Sequence, residues 1–160
     1  MRFSTILCAT DLSPRSERAV QVAYSLASAG AVVHLLYVAE PATVVSPLDG
    51  TFLSWPVDPA DEAEAESVAE RRLQRLVPED VETAGVRTET SVVQGIGVAS
   101  HVLAEAKRVH ADVIVLGTHG RTGIGRILMG SVAAEVMKKS ATPVVLVHDR
   151  PPLEPHEGRS

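Results

Sequence analysis

The stretch Asp112-Val-Ile-Val-Leu-Gly117-Thr-His-Gly120-Arg-Thr-Gly-Ile-Gly-Arg-Ile-Leu-Met-Gly130-Ser131 decides how the chain is read. It opens on a short run, wholly apolar after Asp112, that suits a strand covered on both faces, Asp112 to Leu116. A glycine-rich segment follows from Gly117 to Met129. Ser131 to Lys139 then has helical spacing, with Glu135 and Lys139 at i, i+4 and lysines at the end favoured by the helix dipole. Glycines permit close backbone approach and positive φ, so successive N–H groups can converge on an anion. The start of the following helix adds N–H groups without intrahelical partners and a partial positive charge, and Ser131 adds a hydroxyl. Arg121 and Arg126 supply full charge for a phosphate tail. Together these features read as a phosphate cradle placed between a strand and a helix.

Working outward, the same alternation recurs. Met1 to Thr10 reads as a strand leading into the polar turn Thr10-Asp11-Leu12-Ser13. Ser13 is expected to cap the first helix, with Pro14 at its first position and Glu17 in its first turn. Ala19, Ala23, Leu26 and Ala27 follow at helical spacing and Gly30 is read as the stop. Ala31 to Val38 is an apolar run interrupted only by His34, a second buried strand. A second helix is expected over Ala60 to Val77, a third strand over Val86 to Gln94, and a third helix after Gly95 and Gly97. Pro143 to Val147 is the fifth strand. Five strands alternating with helices predict one α/β domain, an open and mainly parallel sheet with helices on both faces. Ligands of such sheets bind beyond the carboxyl ends of the strands, at the point where strand order reverses. Here those ends are Thr10-Asp11, Val38-Ala39, Gln94-Gly95 and Gly117-Thr118.

Composition narrows the function classes. The chain has 160 residues, one cysteine and a formal net charge of −5, with no block of Lys or Arg. A duplex-binding surface needs a basic stripe, and aromatics at 3% give no stacking platform for single strands, so nucleic acid is not expected as a partner. No run approaches the ~18 apolar residues of a membrane span, and Met1 to Leu12 does not read as a signal peptide. A lone cysteine makes no internal disulfide, and a cytoplasmic location is the expectation. Two nucleotide-binding classes fail on residues: GxxxxGK(S/T) is absent, and the first turn, Ala9-Thr-Asp-Leu-Ser-Pro14, lacks GxGxxG. It also lacks the SGGxDS loop of pyrophosphate-releasing synthetases.

The spacing Gly117-x2-Gly120-x9-Gly130-Ser131 resembles the nucleotide-binding signature of the universal stress protein family. The resemblance extends to Ala9-Thr10-Asp11-Leu12-Ser13, to Tyr37-Val38 and to Thr142-Pro143-Val144-Val145, and spans about Met1 to His148. It implies an adenine-nucleotide alpha-hydrolase-like sheet of strand order 3-2-1-4-5 and a homodimer formed through the last strand, Val144 to Val147. It also implies an adenine nucleotide as ligand, ATP in the branch that keeps the full signature, with Mg²⁺ carried by the phosphates. Asp11, with Thr10 beside it, and the Val38 backbone are expected at the adenosine. Gly117, Gly120, Gly130 and Ser131 are expected around the ribose and phosphates, with Thr118, His119, Arg121 and Val132 completing the set. The domain is expected to end near His148, and residues 149–160, rich in proline, to form a disordered tail.

Plainer readings stand beside these. Asp11 is equally suited to ordering the turn. His119 has no acidic partner nearby in sequence to make it a base, and a packing or phosphate-side role suits it better. His34, His101 and His110 show no ligand spacing, and no protein metal site is expected. Cys8 lies in a buried strand and reads as inert packing. Arg71-Arg72 reads as a solvated helix face. Glu40 to Pro59, with four prolines and Trp55, has no clear period and suits a lid or an interaction segment. Three functions therefore compete. They are a nucleotide-dependent regulatory or stress-response dimer with some protein partner, a slow ATPase or autophosphorylating enzyme, and a dimeric scaffold with an empty site. The first is preferred, because Thr118, Ser131 and His119 offer nucleophiles without a dedicated base.

Overall fold

The structure, a computed structural model, describes residues 3–41, 43–45, 52–54, 58–81, 85–118 and 129–148. Its elements are β1 (Phe3–Thr10), α1 (Glu17–Leu26), β2 (Ala27–Ala39), β3 (Thr43–Val45), β4 (Phe52–Ser54), α2 (Pro59–Arg75), β5 (Arg87–Gln94), α3 (Val98–Arg108), β6 (Val113–Gly117), α4 (Ser131–Lys139) and β7 (Val144–Val147). The main sheet runs β5-β2-β1-β6-β7. Every pairing in it is parallel. Taken as the five main strands in chain order, this is 3-2-1-4-5, with the reversal between β1 and β6.

Strand alternation sorts the core into two layers. On β1, Ile6 and Cys8 face one side with Val33 and Leu35 of β2 and Val113 and Val115 of β6; Ala19, Val20 and Ala23 of α1 and Ala69 and Leu73 of α2 cover them. Leu7, Leu36, Val38, Ile114 and Leu116 face the other side under Ala99, Val102 and Ala106 of α3 and Val136 of α4. The central strands are apolar on both faces because both are covered. Removing a side chain such as Leu73, fully buried between α2 and the sheet, is worth about 2–5 kcal/mol.

Local chemistry sets the start of α2. The Asp58 side chain accepts from the Ala60 amide at 2.9 Å. Pro59 follows at the first position, with Asp61 and Glu62 in the first turn and Arg72 and Arg75 in the last, all matched to the dipole. This capping explains why α2 persists while most of its surface is exposed. Two expectations change at α1. Its cap residue is Ser16, not Ser13, because residues 14–16 form a turn closed by Ser16 N–H to Ser13 C=O at 3.0 Å. It also ends at Leu26 rather than running to Gly30, and Ala27–Gly30 join β2 through an irregular register against β1. Gly30 has φ of +81° and donates to the Gly85 carbonyl at 2.8 Å, so it bends a strand instead of closing a helix. Within Glu40–Pro59, β3 and β4 form a short antiparallel pair, Thr43 opposite Ser54. Trp55 and the segment 149–160 lie outside the described residues.

Candidate functional site

The site is built where β1 and β6 end side by side. The turn after β1 is held by a chain of hydrogen bonds whose direction is fixed by counting protons. Ser16 gives its one hydroxyl proton to the Ser13 carbonyl at 2.8 Å. Thr10 must therefore be the donor across the 2.7 Å contact between the two hydroxyls. The Thr10 oxygen in turn accepts the Leu12 amide at 3.0 Å. Asp11 Oδ1 takes both the amide and the hydroxyl of Ser13, at 3.0 and 2.6 Å. Leu12 adopts a left-handed conformation, φ +59°, and its carbonyl accepts Arg72 Nη2 of α2 at 2.8 Å. The turn is thus fixed from within and braced from the side, and it presents the Asp11 main chain beside the end of β2. Val38 lies one residue beyond the last β1–β2 partners, Thr10 and Tyr37, with its side chain in the core under α3.

Across the switch, β6 ends at Gly117, and Thr118 is buried. The Thr118 carbonyl accepts the Gly130 amide at 2.7 Å, which seats the cap of α4 directly against the end of β6. Ser131 opens α4 and is exposed, while Val132 packs against the α3/α4 core layer. The first amides of α4, from Ser131 onward, have no carbonyl within the helix to bond, and the helix dipole adds to their positive potential. Thr10, Asp11, Val38, Gly117, Thr118, Gly130, Ser131 and Val132 therefore all belong to the carboxyl edge or the helix that starts there. His119, Gly120, Arg121 and Arg126 lie outside the described residues.

A neighbouring cavity of about 270 Å³ opens between α2 and the ends of β2 and β5, lined by Leu12, Tyr37, Glu40, Asp61, Glu66 and Arg72 among others. It sits on the α1/α2 side of the sheet, and neither Asp11, Val38, Gly117 nor Gly130 lines it. Its carboxylates repel a polyphosphate, and Arg72, the one cation among the described lining residues, already serves the Leu12 carbonyl. An anion is therefore better served at α4. Among the described residues no three His, Cys, Asp or Glu side chains converge as a metal requires.

The histidines and the cysteine separate cleanly. His34 is buried, 9% exposed, with Nδ1 3.3 Å from Glu89 Oε2 on the neighbouring strand. Burial holds its imidazole below the ordinary range, against the pull of Glu89. Glu105 of α3 is held below the usual carboxylate value by two bonds from Arg108, at 2.8 and 2.7 Å. Burial pushes the Cys8 thiol up to about 12, which makes it inert at neutral pH. Three contributors escaped the sequence reading: Ser16 and Arg72, which build the Asp11 turn, and His148, whose Nδ1 lies 3.2 Å from the Thr118 hydroxyl. Arg71 does follow the solvated face, bonding Ser67 one turn back. Arg72 does not, and nothing in the pair of arginines distinguishes them without α2 docked.

The Universal stress protein family model matches residues 2–148. The universal stress protein MJ0531 of Methanocaldococcus jannaschii is 34% identical over 148 residues, 91% of this chain and 82% of that one. The chain belongs to the universal stress protein family. Its fold agrees with that of the solved MJ0577 protein, TM-score 0.71 at 22% identity, with 92% of this chain and 97% of that one covered. A universal stress protein solved in complex with cAMP matches at TM-score 0.63 and 26% identity, over 94% of this chain and all of that one, 100%. Among the described residues of this universal stress protein no helix is long and apolar enough to cross a membrane.

Proposed function

We propose that this universal stress protein binds an adenine nucleotide, ATP with Mg²⁺ on its phosphates, and that occupancy regulates a homodimer paired through Val144 to Val147. The observation that carries the reading is the seating of the α4 cap on Thr118 at the strand-order switch, with the Asp11 turn on the opposite side. Ligands of open α/β sheets bind at this place, and a helix N-terminus there favours an anionic tail. In this reading Gly117, Gly130 and the first amides of α4 hold the phosphates, with Ser131 and Thr118 beside them and Val132 anchoring the helix in the core. His119, Gly120 and Arg121 contribute from the glycine-rich segment. Thr10 builds the turn, Asp11 meets the ribose, and the Val38 main chain meets the base. A cyclic adenine nucleotide in a relative of the same fold supports the class of ligand.

Binding, not turnover, is the proposed activity, and the cytoplasm its proposed setting. Calorimetric titration of nucleotide-free protein with ATP and Mg²⁺, beside a Gly130→Val control, tests it. Micromolar binding that the control lacks supports the reading. A folded wild-type chain that binds nothing overturns it in favour of a scaffold. Phosphate release faster than about one per minute, near the pace of a GTPase with its arginine in place, would make the protein an enzyme instead.

A further inference from the structure

Thr118 is only 3% exposed, and its polar groups reach two segments of the chain, the cap of α4 and the end of β7. Its N–H donates to the Val147 carbonyl of β7 at 2.9 Å. Its carbonyl accepts the Gly130 amide at the cap of α4, at 2.7 Å. Its hydroxyl lies 3.2 Å from Nδ1 of His148, the residue that follows β7. One buried residue is therefore part of the α4 cap and of the last rung of the outer strand. A shift of Gly130 either breaks the bond to Thr118 or carries Thr118 with it, and that loads the bond to Val147. Leaving a buried amide or carbonyl unpaired is costly, so the two ends are tied.

We infer that this junction links nucleotide occupancy to β7 pairing, with His148 as a positioning residue that acts through Thr118. The inference rests on the proposed reading of the α4 corner as the nucleotide site and of β7 as the dimer strand. A phosphate held at the α4 cap fixes Thr118, and Thr118 fixes the end of β7, so a second chain pairs with a strand already ordered. Linkage is reciprocal: a factor gained in nucleotide affinity on pairing reappears, squared for two sites, in the dimer constant. His148 is exposed, so its bond is worth the lower end of the usual range, about threefold per protomer and about tenfold in the dimer constant.

The test measures the dimer dissociation constant of the full chain by sedimentation equilibrium, with and without saturating ATP and Mg²⁺, alongside calorimetry. ATP tightens the wild-type dimer. His148→Ala loses about tenfold of that tightening. His148→Asn, whose amide occupies the place of Nδ1, restores it. A wild-type chain that binds ATP and dimerises, yet has the same dimer constant in both conditions, overturns the inference and leaves the reading of the site intact. So does His148→Ala with the full tightening. A wild-type chain with no binding heat, or one monomeric at every concentration, overturns the reading and the inference together, and calorimetry and sedimentation each report that directly.

Discussion

The two outer strands of the sheet carry opposite chemistry. β5, Arg87-Thr-Glu-Thr-Ser-Val-Val-Gln94, places exposed Arg87, Glu89 and Thr90 along its first half. β7, Val144-Val-Leu-Val147, has no polar side chain, and its first three residues are half-buried. Both strands have one neighbour in the sheet, β2 and β6 respectively. An edge offers unpaired N–H and C=O groups to any other strand, and charge on the edge is a common way to discourage that pairing. One end of this sheet carries charge on its outer strand, and the other, among the described residues, offers only apolar side chains. The difference is what favours β7 as the strand of the proposed dimer, since a two-fold pairing of identical strands removes both edges at once.

The largest effect should follow from giving β7 the character of β5. Val145 packs against the α1/α2 layer, and Val145→Asp puts a carboxylate into the pairing strand and against the core. Light scattering after size exclusion should report monomers or aggregates in place of a dimer. A clean, soluble dimer from that variant would remove the β7 interface. The reverse exchange is milder. Arg87→Val with Glu89→Val strips the charges from β5, and self-association should rise with concentration in dynamic light scattering. If the double variant stays as dispersed as its parent, charge is not what closes that edge.

The smallest effect concerns Glu89 in its second role, as partner of His34. Folding lowers the His34 imidazole below its ordinary value, so the folded chain favours the neutral ring. The associated stability is full above about 6.5, the unfolded value, and is lost as pH falls through the lowered folded value. Glu105, held below 4.5 by Arg108, contributes above that value and loses its share only at more acidic pH. Glu89 and Glu105 pull the imidazole upward and Arg108 pushes it down, all of them beside the ring from β5 and α3. Between pH 7 and pH 5 the thermal midpoint of wild type should therefore drop a few degrees further than that of His34→Gln. Equal drops in the two proteins would show that burial of the ring has no bearing on acid stability.

The edges also show what the sequence makes legible. Apolar runs such as Ala31–Val38 and Val113–Leu116 announce strands covered on both faces, because an unbroken apolar run has to be buried on both sides. Strand order 3-2-1-4-5 came from resemblance, not periodicity, and the sheet bears it out. The end of α1 was misread because Ala27, Ser28 and Ala29 fit helix and strand alike, and only pairing with Phe3 makes Ala27 a strand residue. The cap is Ser16 instead of Ser13 because a turn closed by the Ser16 amide on the Ser13 carbonyl comes before the helix. Three-dimensional partnerships left no trace in sequence at all. Arg72 meets Leu12 across 60 positions, and Thr118 meets His148 across 30.

Cys8 lies at 0% exposure in the central strand, its thiol pushed up to about 12, and it is the sole cysteine of the chain. No thiol reagent can reach it until the α1/α2 layer over β1 is lifted. Its modification rate is therefore a built-in clock for parting of the α1/α2 layer from the sheet, not for a frayed end. Any nucleotide that binds the closed form should slow that clock, with no label to attach and no residue to change.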